Sequence, residues 1–253
     1  MKKYSMLFLL TLGVLSCNIA PELLWEENFD GDQLNENYWN YELGDGCPNL
    51  CGWGNNEQQI YTKSNHVVKD GILTISAKLE DSVYTSTRIT TKNKVEFTYG
   101  KIEIRAKLPE GKGLWPAFWM LGSNISEVGW PQCGEIDILE YVGKEPETVF
   151  MSLHTQSSYA NTVNTKKIFI DNIEDGFHIY TANWTKNKIE FFVDKQLVYT
   201  FSPKNKTIDE WPFNQPFYVI LNLAIGGNFG GPDIDNSIFP QEFMIDYIRI
   251  YKN

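Results

Sequence analysis

The chain has 253 residues, of which 42% are hydrophobic and 14% aromatic, so it can bury a sizeable core and is not a disordered chain. Its 22 basic and 32 acidic side chains give a formal net charge of −10, which argues against binding to the phosphate backbone of a nucleic acid. Eight tryptophans favour a ligand with flat apolar faces and many hydroxyls, such as a sugar, although a rigid aromatic core would explain some of them.

The chain begins with a pattern typical of an export signal. Lys2 and Lys3 precede an apolar run over residues 6–15, which is too short for a membrane-spanning helix of roughly 20 residues. The run ends at Cys17 in a sequence that resembles the bacterial lipoprotein signal, with ordinary secretion as the alternative. That resemblance implies an exported lipoprotein, anchored by lipid on Cys17 and facing the periplasm or the cell surface. The predicted division is a signal peptide (1–16), a tether (17–24) and one folded domain (25–253).

Two of the other cysteines lie in a loop rich in glycine and proline. Cys47 and Cys51 are close in sequence, and an export signal implies an oxidising compartment, so we expect a disulfide between them. Cys133 would then be a free thiol. Three cysteines without a paired Cys-x-x-Cys or a nearby histidine argue against a zinc site.

Alternation of apolar and polar residues with period two dominates the rest of the chain. It predicts strands over residues 73–79, 102–108, 189–193 and 244–251. In the last of these, the side chains predicted to share one face are Met244, Asp246, Ile248 and Ile250. No helical pattern of ten or more residues occurs, and no glycine-rich phosphate loop precedes a helix, which disfavours a nucleotide-dependent enzyme. We therefore expect an all-β fold in which two antiparallel sheets form a sandwich.

Three acids crowd one strand-forming segment. Glu135 and Asp137 share a strand face because side chains alternate, whereas Glu140 would point into the core. An unpaired buried carboxylate is costly, so we predict a β-bulge at about Ile138-Leu139 that returns Glu140 to the acidic face. Crowded carboxylates raise at least one pKa, and retaining glycosidases use one ionised and one protonated carboxyl about 5–5.5 Å apart. A solvated acidic face or a cation site is the alternative.

With these acids the sequence resembles glycoside hydrolase family 16, in particular its bacterial laminarinase-type β-1,3-glucanases. The likeness covers nearly all of residues 25–251, and its core, residues 134–140, matches the family's Glu-x-Asp-x-x-Glu strand. Leu139 stands where these enzymes often carry methionine. Further matching blocks are 52–57, 114–120, 129–131, 221–227 and 246–251. The resemblance implies a β-jelly roll of the concanavalin A-like kind, with a substrate cleft across its concave sheet.

The resemblance gives each acid an expected role. Glu135 matches the nucleophile, Glu140 the general acid/base, and Asp137 an acid that shares a proton with Glu135. The expected reaction is retaining endo-hydrolysis of β-1,3-glucosidic bonds in laminarin-like glucans by a monomer that needs no cofactor for catalysis. One alternative is a family relative acting on mixed-linkage glucan, agar or carrageenan. Another is a non-catalytic glucan-binding lipoprotein.

Other positions match sugar-contacting residues of the family. They are Trp115, Trp119, Trp130, His154, Asn55 and Arg88. An indole can stack on a pyranose face and exclude water, although each tryptophan could instead belong to the core. His154 could hydrogen-bond sugar or Glu140, and for His154, Asn55 and Arg88 a structural role is the alternative.

Many relatives carry a structural Ca²⁺ on the convex face of the fold. The matching positions in this chain are Asn28, Gly71 and Asp246, whose carbonyl and carboxylate oxygens suit a hard cation. Asn28 replaces the glutamate that is usual in relatives. That replacement weakens the site only if the ligand there is a side chain.

Overall fold

The computed structural model describes residues 21–253, so the predicted signal peptide and Cys17 lie outside the described residues. The described strands, in chain order, are β1 (Leu23–Glu27), β2 (Asn40–Tyr41), β3 (Ile60–Tyr61), β4 (His66–Lys69), β5 (Ile72–Glu80), β6 (Val83–Ser86), β7 (Arg88–Thr90), β8 (Glu96–Phe97), β9 (Gly100–Lys107), β10 (Leu114–Gly122), β11 (Glu135–Tyr141), β12 (Thr148–His154), β13 (Thr165–Phe169), β14 (His178–Trp184), β15 (Ile189–Val193), β16 (Gln196–Phe201), β17 (Phe217–Ile225) and β18 (Gln241–Tyr251).

Helical segments are short. They are two 3₁₀ turns (Cys51–Gly54 and Asn236–Ile238) and two α-helical turns, α1 (Ile125–Val128) and α2 (Gly227–Gly230). Within residues 21–253, no helix is long and apolar enough to span a bilayer.

The strands form two sheets, as the sequence predicts. One sheet has the order β16-β15-β14-β9-β18-β5-β6-β3, with β1 beside β18 and β4 beside β5. The other has the order β13-β12-β11-β10-β17-β7-β2, with β8 beside β17. The neighbours are antiparallel apart from β3 and β6, whose two-residue pairing is parallel. The expected all-β sandwich is therefore confirmed, with one short parallel pair that the sequence did not indicate.

The core lies between the sheets and is built from alternate side chains of each strand. On β5 the buried residues are Leu73, Ile75 and Ala77, and β9 buries Ile102, Ile104 and Ala106 in the same way. Burying each large aliphatic side chain contributes roughly 1.5–3 kcal/mol, which is why period-two patterns fix the faces of these strands. The central strand β17 is buried along its whole length.

One predicted strand face is wrong in its first half. The alternation placed Met244 and Asp246 on the same face as the later isoleucines of β18, but Ile245 is the buried residue. The pairing of β18 with β9 changes register between Ile245 and Tyr247. This bulge inserts one residue, so Ile245 and Ile248 face the core although they are three positions apart.

The face of the second sheet that points away from the core carries polar and aromatic side chains. On β10, Phe118 and Met120 are fully buried in the core, whereas Trp115 and Trp119 alternate with them and are only half-buried. We call the outward face of β7, β17, β10, β11 and β12 the cleft face. It holds most of the residues predicted to act on a substrate.

Candidate active site

A β-bulge places all three predicted acids on the cleft face of β11. The pairing of β11 with β10 skips Ile138, and its pairing with β12 shifts between Asp137 and Glu140. Ile138 and Leu139 are both completely buried, so the two consecutive residues fill the core and Glu140 returns to the side of Glu135. The predicted bulge is confirmed at Ile138-Leu139.

Two indole N–H groups hold the outer carboxyls of this strand. Trp130 Nε1 donates to Glu135 Oε2 at 2.7 Å, and Trp115 Nε1 donates to Glu140 Oε1 at 3.1 Å. The second oxygen of Glu140 accepts a longer bond of 3.4 Å from Ser152 Oγ. The predicted stacking residues Trp115 and Trp130 therefore also orient the acids.

His154 lies beside the other two acids and not beside Glu140. Its Nε2 atom is 3.1 Å from Asp137 Oδ2 and 3.7 Å from Glu135 Oε1. Asp137 Oδ2 is buried and has no hydrogen-bond partner among the described residues. The ligand atoms of Glu135, Asp137 and His154 lie within 4.8 Å of one another, so these three side chains could surround a cation.

Burial raises the pKa of all three carboxyls. The pKa of Glu135 rises to about 8, through burial and then the charge of Asp137, while burial raises that of Glu140 to about 7 despite the opposing effect of His154. The pKa of Asp137 is raised well above its usual range by burial and by the charge of Glu140. Because the Asp137 side chain is only 4% exposed, against 16% for Glu135, we expect Asp137 to hold its proton most strongly. The N–H of Trp130 opposes the rise in the pKa of Glu135 and so favours its carboxylate form.

Arg88 is enclosed between two tryptophans on the cleft face. Its guanidinium carbon lies 4.5 Å from the ring centroid of Trp53 and 5.0 Å from that of Trp119. Arg88 Nε donates to Glu42, and Arg88 as a whole is only 8% exposed. The guanidinium thus fixes two aromatic walls of the cleft. Neither Trp53 nor Glu42 was among the predicted site residues, although Trp53 lies in the matching block 52–57.

A chain of buried side-chain hydrogen bonds continues this wall. Trp119 Nε1 donates to Asn222 Oδ1 at 2.8 Å, and Asn222 Nδ2 donates to the hydroxyl of Tyr61 at 3.2 Å. The Tyr61 hydroxyl donates to Glu57 Oε2 at 3.0 Å, and Asn55 Nδ2 donates to Glu57 Oε1 at 3.4 Å. The predicted residue Asn55 is therefore tied to the same network as Trp119. No sequence pattern links Glu57, Tyr61 and Asn222, because strand pairing brings them together.

The cysteines take the arrangement that the sequence suggests. Cys47 and Cys51 form a disulfide with an Sγ–Sγ distance of 2.03 Å, at the base of the turn that carries Trp53. Trp53 Nε1 donates to the Gly44 carbonyl at 3.2 Å, which fixes the indole against this loop. Cys133 is a buried free thiol, and burial raises its pKa to about 12.

Two of the three predicted calcium positions, Asn28 and Gly71, are neighbours, and the third, Asp246, lies on β18, in the sheet without the cleft face. A Cβ built on Gly71 would lie 3.9 Å from the carbonyl oxygen of Asn28, so these two backbones are neighbours. The side-chain oxygen of Asn28 accepts a 3.2 Å bond from Arg249, and the carboxylate of Asp246 pairs with Arg105. Both side chains are engaged by arginines, so the residues present fit a hard cation chiefly through backbone oxygens.

Comparison with known proteins gives a family for this fold and site. The family Glycosyl hydrolases family 16 matches residues 54–249. A laminarinase from Flavobacterium sp. UMI-01 is 66% identical, with a TM-score of 0.90 over 91% of this chain and 100% of that chain. A glucan endo-1,3-beta-glucosidase from Cryptopygus antarcticus is 40% identical over 89% of this chain and 90% of its own length.

A third relative has been solved with sugar bound. This endo-beta-1,3(4)-glucanase, described as non-specific, presents a 1,3-beta-D-cellobiosyl-glucose at its active site. It is 33% identical to this chain, with a TM-score of 0.84 over 92% of this chain and 95% of its own. Matching blocks, fold and likeness to solved relatives agree over most of the sequence, and the chain belongs to glycosyl hydrolases family 16.

Proposed function

We propose that this protein is a retaining endo-β-1,3-glucanase that hydrolyses laminarin-like glucans. One observation carries the proposal: a bulged strand presents Glu135, Asp137 and Glu140 together, each in a different hydrogen-bonded environment. A glycosidase needs one ionised and one protonated carboxyl, and acids crowded this closely cannot all ionise together, so the cluster can supply both forms. The similarity to laminarinases and to an endo-1,3-beta-glucosidase supports β-1,3-glucan as the substrate.

The proposed mechanism assigns one step to each carboxyl. Glu140 gives its proton to the glycosidic oxygen, the bond to the leaving sugar breaks, and the Glu135 carboxylate attacks the anomeric carbon. Glu140, now ionised, takes a proton from water, and the resulting hydroxide displaces Glu135 with net retention. The proton on Asp137 stabilises Glu135 whenever it carries negative charge.

The aromatic residues of the cleft face supply the proposed sugar contacts. Trp115, Trp119 and Trp130 are all partly exposed there, and indole faces pack against the C–H faces of pyranoses. His154 and Asn55 are also partly exposed and can hydrogen-bond sugar hydroxyls. Arg88 is too deeply enclosed to stack on sugar with its own faces, so we assign it the support of Trp53 and Trp119.

A second substrate class has specific support. The related endo-beta-1,3(4)-glucanase that is described as non-specific favours tolerance of mixed β-1,3/1,4 linkages. A protein that only binds glucan is disfavoured, because three crowded carboxyls with raised pKa values destabilise the fold and binding alone does not need them.

The deciding experiment compares substrates and one matched pair of variants. The soluble chain, beginning after Cys17, is incubated with laminarin, lichenan, agarose and carrageenan, and released reducing ends are measured. We expect release from laminarin, retention of anomeric configuration, and loss of at least about 10²-fold in kcat for Glu135→Gln. Glu36→Gln is the control, because Glu36 is an exposed acid paired only with surface Lys63. Release from agarose or carrageenan but not laminarin contradicts the proposal.

We also propose a structural calcium at Asn28, Gly71 and Asp246. The neighbouring backbones of Asn28 and Gly71 support it. Calcium is expected to raise the unfolding temperature of metal-free protein, and Asp246→Asn should leave most of that increase in place, because the fit is chiefly through backbone oxygens. An unfolding temperature that is identical in EDTA and in calcium contradicts the site.

The membrane anchor is a separate proposal that rests on the sequence around Cys17. We propose that the exported protein starts at a lipidated Cys17 and that residues 17–24 tether the domain at residues 25–253. Mass spectrometry of the membrane fraction should show a chain that starts at Cys17 and carries lipid mass. Cys17→Ser should release or block the mature protein, and an unmodified soluble chain from the native sequence would contradict the anchor.

A further inference from the structure

We propose that Trp130 and Tyr159 form an outer sugar subsite that holds a further glucosyl residue of the same glucan chain and favours β-1,3 linkages. The inference rests on the proposed function for the identity of the sugar. It adds a residue, Tyr159, that the motifs of the catalytic strand do not indicate.

Trp130 and Tyr159 are unusual among the aromatic residues because both rings are highly exposed. Among residues 21–253, most large apolar side chains with high exposure are aliphatic, and the aromatic ones are Trp130 at 43%, Tyr159 at 48% and Phe169 at 65%. Trp130 and Tyr159 touch each other, with ring centroids 5.5 Å apart. Two large aromatic rings that remain together in water form an apolar patch, and such a patch beside a polar cleft is typical of a ligand contact.

The pair is continuous with the catalytic carboxyls. The Trp130 indole donates to Glu135 at 2.7 Å, and its ring lies 6.0 Å from that of His154. Trp130 therefore has one edge at the proposed nucleophile and meets Tyr159 on the outer side. A glucan that occupies the site beside Glu135 has Tyr159 within reach of a later sugar in the chain.

The loop that carries Tyr159 is held in place by its own hydrogen bonds. Thr155 and Ser158 exchange backbone bonds of 2.9 and 3.1 Å, and Thr162 Oγ1 donates to the Leu153 carbonyl at 2.9 Å. These bonds flank Tyr159 on both sides, so the exposed ring is presented by an ordered loop. A preorganised aromatic group loses little entropy on binding.

The geometry of the pair suits a bent chain. The two rings are almost perpendicular, with an interplanar angle of 81°. A β-1,3 linkage turns each glucose relative to the last, so successive sugars can pack on two perpendicular faces, whereas a β-1,4 chain continues straight. Tyr159 also offers a hydroxyl for a sugar hydroxyl. The perpendicular rings of Trp130 and Tyr159 should therefore strengthen binding of β-1,3-linked chains more than of β-1,4-linked chains.

Affinity for chains of increasing length tests the subsite without turnover. In a Glu135→Gln background, binding of β-1,3-glucan oligosaccharides of two to six sugars is measured by calorimetry with and without Tyr159→Ala. We expect no change for the shortest chains and a loss of about three- to tenfold once the chain reaches the pair. Tyr159→Phe should retain most of the affinity. Val163→Ala, on the same loop and highly exposed, is the matched control.

The outcomes separate this inference from the proposed function. Equal affinity of Tyr159→Ala and its parent for all lengths overturns the subsite, even if the wild-type enzyme cuts laminarin. Equal loss at every length also overturns it, since that result indicates a general structural effect. A length-dependent loss in a protein that does not hydrolyse laminarin supports the subsite and contradicts the proposed catalysis.

Discussion

Two indole N–H groups, one at each end of the acidic strand, favour the ionised forms of its outer carboxyls. Trp130 donates to Glu135 and Trp115 donates to Glu140. A hydrogen bond to a carboxylate favours its ionised form, so each indole lowers a pKa that burial has raised. The sequence predicts these tryptophans as stacking platforms, but their second role depends on distances that only the fold defines.

Replacing each indole by phenylalanine tests this role because the ring remains and the N–H is lost. Trp130→Phe should raise the pKa of Glu135, which must be ionised to attack, so kcat/KM should fall about tenfold at low pH and stay unchanged at high pH. Trp115→Phe should raise the pKa of Glu140, which must be protonated to act as an acid, so kcat/KM should rise at high pH and stay unchanged at low pH. Effects at the opposite ends of the pH range would exchange the roles assigned to the two glutamates.

At the scale of elements, two bulges show what a strand pattern can and cannot predict. On β11 the bulge is predictable, because without it the charged Glu140 would enter the core. On β18 a regular alternation puts Asp246 on the same face as the core residues Ile248 and Ile250, so the cost of burying a carboxylate argues against it, but the sequence alone does not say where the bulge falls. The pairing with β9 decides the register there, and that pairing is not contained in the sequence of β18.

Strand neighbours also create the Arg88 sandwich, which joins β7, β10 and the loop carrying Trp53. Arg88→Met should destabilise the fold by about 1–3 kcal/mol, because it leaves Glu42, whose side chain is 29% exposed, without its charged hydrogen-bond donor. It should also raise KM for laminarin more than it lowers kcat, because it disturbs Trp53 and Trp119 in the cleft wall and leaves the carboxyls of β11 in place. Urea unfolding and steady-state kinetics measure the two effects.

The double variant Glu42→Gln/Arg88→Met is the control for this prediction. Removing both partners leaves no unpaired carboxylate, so part of the lost stability should return. If the double variant is as unstable as the sum of the two single variants, the cost is one of packing and not of an unpaired charge.

For the whole molecule, period-two patterns and one acidic motif were enough to predict the two-sheet sandwich and the strand that carries the acids. The network of Glu57, Tyr61 and Asn222 was not predictable, since Tyr61 and Asn222 are 161 residues apart and meet only through sheet order. The same holds for Glu42 and Arg88, which are 46 residues apart. Residues that act together within one strand can be recognised in the sequence, whereas the contacts that support them depend on pairing between distant strands.

The acidic cluster should also set how the stability of the molecule depends on pH. The folded protein holds the pKa of Glu135 at about 8, above the ordinary 4.5, so it binds more protons than the unfolded chain between these values. The free energy of unfolding should therefore fall as pH rises from about 4.5 to about 8. Glu135→Gln removes this contribution and should be more stable than wild type by about 4 kcal/mol at pH 8, but not at pH 4.

Urea titrations at several pH values measure this difference directly. The surface variant Glu36→Gln should track the wild type at every pH, because its carboxyl is exposed. A stability gain for Glu135→Gln that is the same at pH 4 and pH 8 would contradict the proton linkage and indicate a packing effect.

Cys133 can report how often β11, the strand that carries the three acids, opens to solvent. The thiol is fully buried immediately before Gly134 and Glu135, and its pKa is raised to about 12, so an aqueous thiol reagent has neither access nor a thiolate to attack in the closed state. Labelling of a chain that starts after Cys17 can then proceed only through transient opening around β11. The labelling rate, followed with and without a bound glucan, would report how often the carboxyl cluster comes apart and whether substrate holds it together.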